Sequence, residues 1–437
     1  MTPIERCEQV LELVGDRAEA IVSATTGVSA LTRFANSSIH QNVAEDASSL
    51  FVKVIVDGRY ASASTTQTDD ASLRRLVDRT IEAARLRPPD PDWPGLAPAA
   101  AAPDVEHWDA ETADASPDAR ATVVKAFVDA GGGLEGAGYC STSGLTVALA
   151  NSAGQRLQGR HSAATINGIH RTGTSDASAT ASSVRLADLD GAAAGADAAE
   201  RARATAEGID LEPGTYEVVL APSCLANMLQ FLAYAGFNAK AFLDGTSFVH
   251  LGEAQFDEQV SMWDDATDPR TLGLPFDNEG VPKRRVDLVT AGVTTSLVHD
   301  RRTARLAGTE STGHGLGQET AGAYPANLFF GEGAPDTTAE DLVAGIERGL
   351  VVHDFWYTRI LDPKNQVVTG LTRNGVFLVE DGVVTKPVRN LRFTQSFVAA
   401  LGPGKVRAIA GDGQLINGMH VPTVHLSAWN FTGGAKG

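Results

Sequence analysis

Tyr216-Glu-Val-Val-Leu-Ala-Pro-Ser-Cys-Leu-Ala-Asn-Met-Leu-Gln-Phe-Leu-Ala-Tyr-Ala-Gly236 changes the character of the chain. Glu217 to Leu220 read as a short buried strand. Pro222 and Ser223 punctuate it, and Leu225, Met228, Leu229, Leu232 and Ala233 then recur at helical spacing. A strand that feeds a helix through a tight Pro-Ser turn fixes where the helix starts, which makes it a good place to hold chemistry. The region closes on Gly308-Thr-Glu-Ser-Thr-Gly-His-Gly-Leu-Gly317, whose glycines alternate with polar groups and exclude an ordinary core segment.

Downstream of that helix, strand-like runs dominate: 260–263, 286–290, 295–298, 327–330, 349–360, 376–380, 407–409 and 424–429. Turn signals at Asp277 to Gly280, Asn374-Gly375 and Asp381-Gly382 separate them, and a last helix is read over 395–400. Upstream, strands are read over 19–29, 31–39 and 50–56, with a hairpin turn at Asp57-Gly58. A helix capped by Asp70 or Ser72 buries Leu73, Leu76, Val77 and Ile81. Residues 88–104 hold six prolines and read as a linker or a poorly folded surface segment. Ser116-Pro117 starts another helix, followed by strands at 145–150 and 163–170 and an Ala-rich helix over 190–207. Phe34-Ala35-Asn36-Ser37 is echoed by Leu149-Ala150-Asn151-Ser152, as a weak repeat would be. The expected fold is α+β: an N-terminal α+β unit (1–87), a Pro/Ala-rich acidic linker (88–115), a middle α+β unit (116–212) and a mainly antiparallel, barrel-like β domain (213–437).

The formal net charge of −18 argues against a nucleic-acid partner, since phosphates need a basic footprint. Three cysteines, Cys7, Cys140 and Cys224, are no disulfide framework. No apolar run approaches a membrane helix, and Met1-Thr-Pro-Ile-Glu-Arg6 lacks a signal-peptide pattern, so a cytoplasmic location is expected.

Zinc hydrolysis needs three fixed ligands, an open position and a base. The chain has neither His-Glu-x-x-His nor His-x-x-x-His. The best substitute set is His299, His314, His353, His420 and His425, against an ordinary reading as surface and hydrogen-bonding histidines. Asp264, Asp265, Asp268, Asp277 and Glu279 could bind a cation or form an acid/base pair, or simply build turns. Cys224 at a helix start is a candidate nucleophile or a small core residue. Cys140, Ser143 and Ser311 lack a catalytic context. The 308–317 loop has neither the Lys of a phosphate loop nor a dinucleotide fingerprint, but it would let a peptide backbone approach closely.

The order of several segments resembles the TldD/PmbA family, whose catalytic members are zinc metallopeptidases. The matching segments are Arg33 to Gln41, Val218 to Pro222, Asp244 to Ser247, Trp263-Asp264-Asp265, Phe276 to Pro282, Thr290 to Gly292, His299-Asp300, Pro387 to Leu391 and Gly411 to Gln414. They span nearly the whole chain. In catalytic members the helix carries His-Glu-x-x-x-His and a C-terminal Cys adds a ligand. The corresponding positions here are Gln230, Phe231, Ala235 and Ala410, and no His lies between His170 and His250. The resemblance thus implies the PmbA (TldE) type of subunit, without a cofactor of its own. It would pair with a zinc-bearing TldD-type subunit as a heterodimer, or with itself, and act on unfolded or extended peptides. Asp244, Thr246, Ser247, Thr309, Ser311, Thr312 and His314 are then candidate peptide or subunit contacts. The alternatives are an active hydrolase with an atypical metal or acidic site, and a homodimeric binding or scaffold protein.

Overall fold

Glu19–Ala35 runs as one uninterrupted strand rather than breaking near Ala30, and turns at Asn36-Ser37 into Ser38–Asp46. It pairs along its length with Glu135–Asn151, from Ile21 opposite Asn151 to Phe34 opposite Gly138. Gly27 and Gly138 are required there: at φ of 146° and 156°, a Cβ on either would lie 2.0 or 2.2 Å from a carbonyl of the neighbouring strand. These two central strands join both upstream α+β segments in one seven-stranded sheet. The computed structural model that shows this describes residues 1–318 and 320–434. Each echo site ends a central strand and enters a turn. Helices Pro3–Val14 and Asp70–Arg85 cover one half of the sheet through Cys7, Val10, Leu73 and Val77. Pro117–Ala130 and Gly191–Ala204 cover the other through Val124, Phe127 and Ala198. The cap of the second helix is Asp69, whose carboxylate accepts the Ser72 N–H at 3.0 Å, one residue before the expected start.

The Pro-rich stretch is a docked strap. The Arg301 guanidinium donates to the carbonyls of Pro94 and Leu96 at 3.2 and 3.0 Å. Arg302 pairs with Asp90, and Arg305 donates to the Trp93 carbonyl. Further along, Asn151 Nδ2 donates to Ala97 O at 2.8 Å. Arg301→Ala is therefore expected to free the strap, because charged hydrogen bonds are the stronger kind. Limited proteolysis read by mass spectrometry should show cleavage near Pro94 to Leu96 rising about tenfold, and an unchanged rate would reject the clamp.

The C-terminal half closes a ring. Gly214–Leu220 lies parallel to Arg348–Asp362 and antiparallel to Val424–Gly434. That strand pairs with Leu391–Ser396, which pairs with Val367–Glu380, which returns to Arg348–Asp362. The result is a small, mainly antiparallel barrel beside a six-stranded sheet. Trp429 fills it, stacked 5.0 Å from Phe355 and edge-on to Phe393 at 5.3 Å. Asn374-Gly375 is not a hairpin turn but an irregularity inside a continuous strand, where the register shifts opposite Val352 and Asp354. Residues 295–298 form no strand, and the last helix is only Phe397–Ala400. Among the described residues, no helix is long and apolar enough to cross a membrane.

Candidate functional site

Helix Pro222–Ala235 starts where expected, with Pro at its first turn. Its buried face (Leu225, Met228, Leu229, Leu232) shares one core with Leu350, Val352 and Leu378 of the barrel and Met262 and Leu288 of the six-stranded sheet. The other face is open. Gln230 is exposed, Tyr234 is 71% exposed, and Phe231 is half-buried with its ring edge-on to Phe397 at 5.8 Å. Asn227 Nδ2 donates to Thr358 Oγ1 at 3.3 Å while its Oδ1 has no partner. Ala235 is turned inward, and Ala410 lies in a separate small core with Val219, Val351 and Phe377. Strand alternation puts Val219 and Val351 on the side opposite Val218, Leu220, Leu350 and Val352, whose core holds the helix. Ala410 therefore packs in a different core from the buried face of the helix.

Cys224 is no nucleophile. It is fully buried, its Sγ is 3.4 Å from Val352 O, and burial pushes its thiol well above the ordinary range, outweighing the helix field. Burial likewise pushes the thiols of Cys140 and Cys7 up to about 11 and about 12.

The densest chemistry is a buried polar cluster that ties the 264–283 segment to the Gly-rich loop. His314 Nε2 donates to Asp264 Oδ1 at 2.8 Å, and its Nδ1 lies 2.9 Å from the Thr312 hydroxyl, which donates to His299 O at 3.1 Å. Asp264 Oδ2 accepts the Asn327 N–H at 2.6 Å, and Lys283 Nζ donates to Asn327 Oδ1 at 3.0 Å. Asp277 accepts three backbone N–H groups, from Glu279, Val281 and Gly315, at 2.8–2.9 Å. Glu279 Oε2 accepts the Arg301 N–H at 2.8 Å. Burial raises the Asp277 carboxyl and lowers the Lys283 ammonium. Burial, aided by the charges of Asp277 and Asp300, pushes Glu279 up to about 7. Thr312, His314 and Asp264 line up like a catalytic relay, yet all three are closed to water. Asp265 receives Thr267 and Asp268 pairs with Arg270, so both acids serve turns. Sequence reasoning reached Asp264, Asp277, Glu279 and His314 but missed Lys283 and Arg301, whose only signal was proximity to Asp277-Asn278-Glu279-Gly280 and His299-Asp300, and Asn327, which is joined to Asp264 and Lys283 only by the fold.

The candidate contact residues divide. Thr309 and Ser311 line a groove of about 430 Å³ against Pro94, Ala97 and Pro98 of the strap, whereas Thr312 and His314 face inward. Asp244 and Thr246 are exposed, with Asp244 paired to Lys240 at 2.5 Å, and Ser247 is buried on Gly236 O at 2.8 Å. The histidines are dispersed. His425 bonds Glu217 at 2.9 Å, His420 stacks on Phe329, and burial lowers His299 and pushes His353 down to about 3. Among the described residues, no three His, Cys, Asp or Glu side chains converge as a metal-binding group.

Comparison with known proteins gives two family matches. Residues 213–433 match the PmbA/TldA metallopeptidase C-terminal domain, and residues 20–84 match PmbA/TldA metallopeptidase domain 1. The metalloprotease PmbA of Escherichia coli O157:H7 is 28% identical over 415 residues, covering 89% of this chain and 87% of that protein. A TldD homologue of Haemophilus influenzae is 26% identical over 176 residues, 39% of this chain and 35% of its own. The crystal structure of TldE from Thermococcus kodakarensis superposes with a TM-score of 0.87 at 19% identity, covering 99% of this chain and 100% of that one.

Proposed function

The chain belongs to the PmbA/TldD metallopeptidase family, and from that premise we propose that it is the non-catalytic subunit of a paired peptidase. One observation carries the reading: the helix that would bear the metal ligands opens on Asn227, Gln230, Phe231 and Tyr234. Zinc takes thiolate, imidazole or carboxylate ligands. Two amides, a phenol and the methyl of Ala410 do not fit it, so no hydrolytic step is assigned to this chain. A TldD-type partner would supply the metal, the activated water and the base. This chain would supply walls and contacts for an extended peptide, with the groove at Thr309 and Ser311 and the open helix face as candidate surfaces. Three free, buried cysteines suit a reducing cytoplasm.

The test is an unstructured fluorogenic peptide, assayed with this chain, with a TldD-type subunit from the same cell, and with both, alongside metal analysis. The expected result is no zinc and no cleavage by this chain alone, and faster cleavage by the mixture than by the partner. One zinc per chain with unaided cleavage would overturn the reading in favour of an atypical hydrolase. An inert homodimer that leaves the partner's rate unchanged would overturn it in favour of a scaffold.

A further inference from the structure

Arg59–Thr65 ends the seven-stranded sheet and, among the described residues, pairs only with Ser49–Val56. The two-residue turn between them has φ of 49° at Asp57 and 71° at Gly58, the left-handed pair that tight hairpins use. In such a hairpin the flanking residues, Val56 and Arg59, form a hydrogen-bonded pair, and inward and outward bonding then alternate. Ser62 and Ser64 accordingly aim their backbone N–H and C=O groups away from the sheet. Both residues are exposed.

Beside this free edge lies helix Asp70–Arg85, leaving a groove of about 440 Å³ between them. Ser62 to Thr65 form one wall, and Arg75, Leu76, Arg79 and Thr80 the other. No Asp or Glu lines it, although the chain carries a net charge of −18. Arg75 donates to Ser72 Oγ at 2.7 Å, and neither Arg75 nor Arg79 has an ion pair among the described residues. Asp69 lies within electrostatic range of Arg75, but its carboxylate is held by the Ser72 N–H. Like charges four residues apart repel on a bare helix.

We propose that this groove binds an extended acidic peptide by strand addition to the Ser62–Ser64 edge, with carboxylates at alternate positions meeting Arg75 and Arg79. The spacings agree: four residues of helix advance about 6 Å, and two residues of strand advance about 6.6 Å. Main-chain bonds to the edge give affinity, and the arginines select charge. The site is distant in sequence from the surfaces assigned above and does not depend on the auxiliary role, so either can fail alone.

The experiment is fluorescence polarisation of a labelled alternating Glu-Val peptide with the full chain, against the matching Gln-Val peptide. Arg75→Ser with Arg79→Ser should weaken the acidic peptide about tenfold, and added salt should do likewise. Ser64→Pro should also abolish binding, since it removes an outward N–H without touching the ladder, whereas Ser64→Ala should not. Circular dichroism checks that the variants fold. Equal binding of both peptides would overturn the charge recognition. Competition by inorganic phosphate with no effect of Ser64→Pro would mark a simple anion site and overturn strand addition. A homodimer abolished by Ser64→Pro would make a second copy the occupant and overturn the peptide.

Discussion

His314→Ala is expected to lower the unfolding free energy by about 3–5 kcal/mol, the range found when one partner of a buried charged or strongly polar pair is removed. Both side chains of the His314 and Asp264 pair are 0% exposed. Without the imidazole, Asp264 Oδ1 loses its donor in a site water does not reach, and a buried acceptor without a partner bears its full desolvation cost. The loss is shared by a network, so it should be non-additive. The double variant Asp264→Asn, His314→Ala should fall short of the sum of the singles by 1 kcal/mol or more, about the coupling expected for contacting groups. Chemical denaturation of the variants measures this. A single-variant loss under about 1 kcal/mol would mean the cluster is looser than its geometry. The same contact sets the posture of the loop: Thr312 and His314 hold it from within, leaving Thr309 and Ser311 in the strap groove. A destabilised loop should therefore also weaken whatever that groove contacts.

How much of this was legible in the string depends on the range of the forces involved. The helix after Pro222 was readable because its determinants are local: Pro at the first turn and apolar residues at helical spacing. The hairpin at Asp57-Gly58 was readable for the same reason. The break expected near Ala30 was an error of locality. Ala30 looks like a boundary alone, but it pairs with Thr142, and nine residues before it and four after it also pair with Glu135–Asn151, so that long ladder holds the strand together. Asn374-Gly375 misled similarly, since a positive φ serves a bulge as well as a turn. The Pro-rich stretch looked loose because its partners, Arg301, Arg302 and Arg305, lie some two hundred residues away, and nothing in either segment names the other. At the candidate site, residue types pointed to Asp277, Glu279 and His314, but not to which faced solvent. His314 was read as a contact residue and is a structural pin. Cys224 was read with its helix start in view, and its burial, a tertiary fact, reverses the sign.

Glu279 should make the chain less stable as pH rises through neutrality. Three carboxylates crowd the start of helix Arg301–Ala307: Asp300 caps it, Glu279 accepts the Arg301 N–H, and Asp277 sits two residues away from Glu279. Burial first, then Asp277, raises the Glu279 carboxyl from an ordinary 4.5 to about 7, with the Arg301 N–H opposing. The folded chain therefore holds this proton more tightly than the unfolded chain. The stabilisation is fully present below pH about 4.5 and is lost as pH climbs through about 7, a change of about 3 kcal/mol at one site. Glu279→Gln keeps an acceptor for Arg301 N–H and removes the ionisation. Its stability relative to wild type should be near level at pH 5 and higher by about 2–3 kcal/mol at pH 8, measured by denaturation at each pH. Taking the difference between the two proteins cancels the other titrating groups, Asp354 at about 6 among them. A difference that stays flat across that window would mean Glu279 ionises freely, and that its carboxylate is better solvated than its neighbours imply. Because Arg301 also grips the strap at Pro94 and Leu96, the rise in negative charge at the helix start bears on the same residue that closes the groove. Strap proteolysis should accordingly quicken at pH 8 in the wild type and slow in Glu279→Gln.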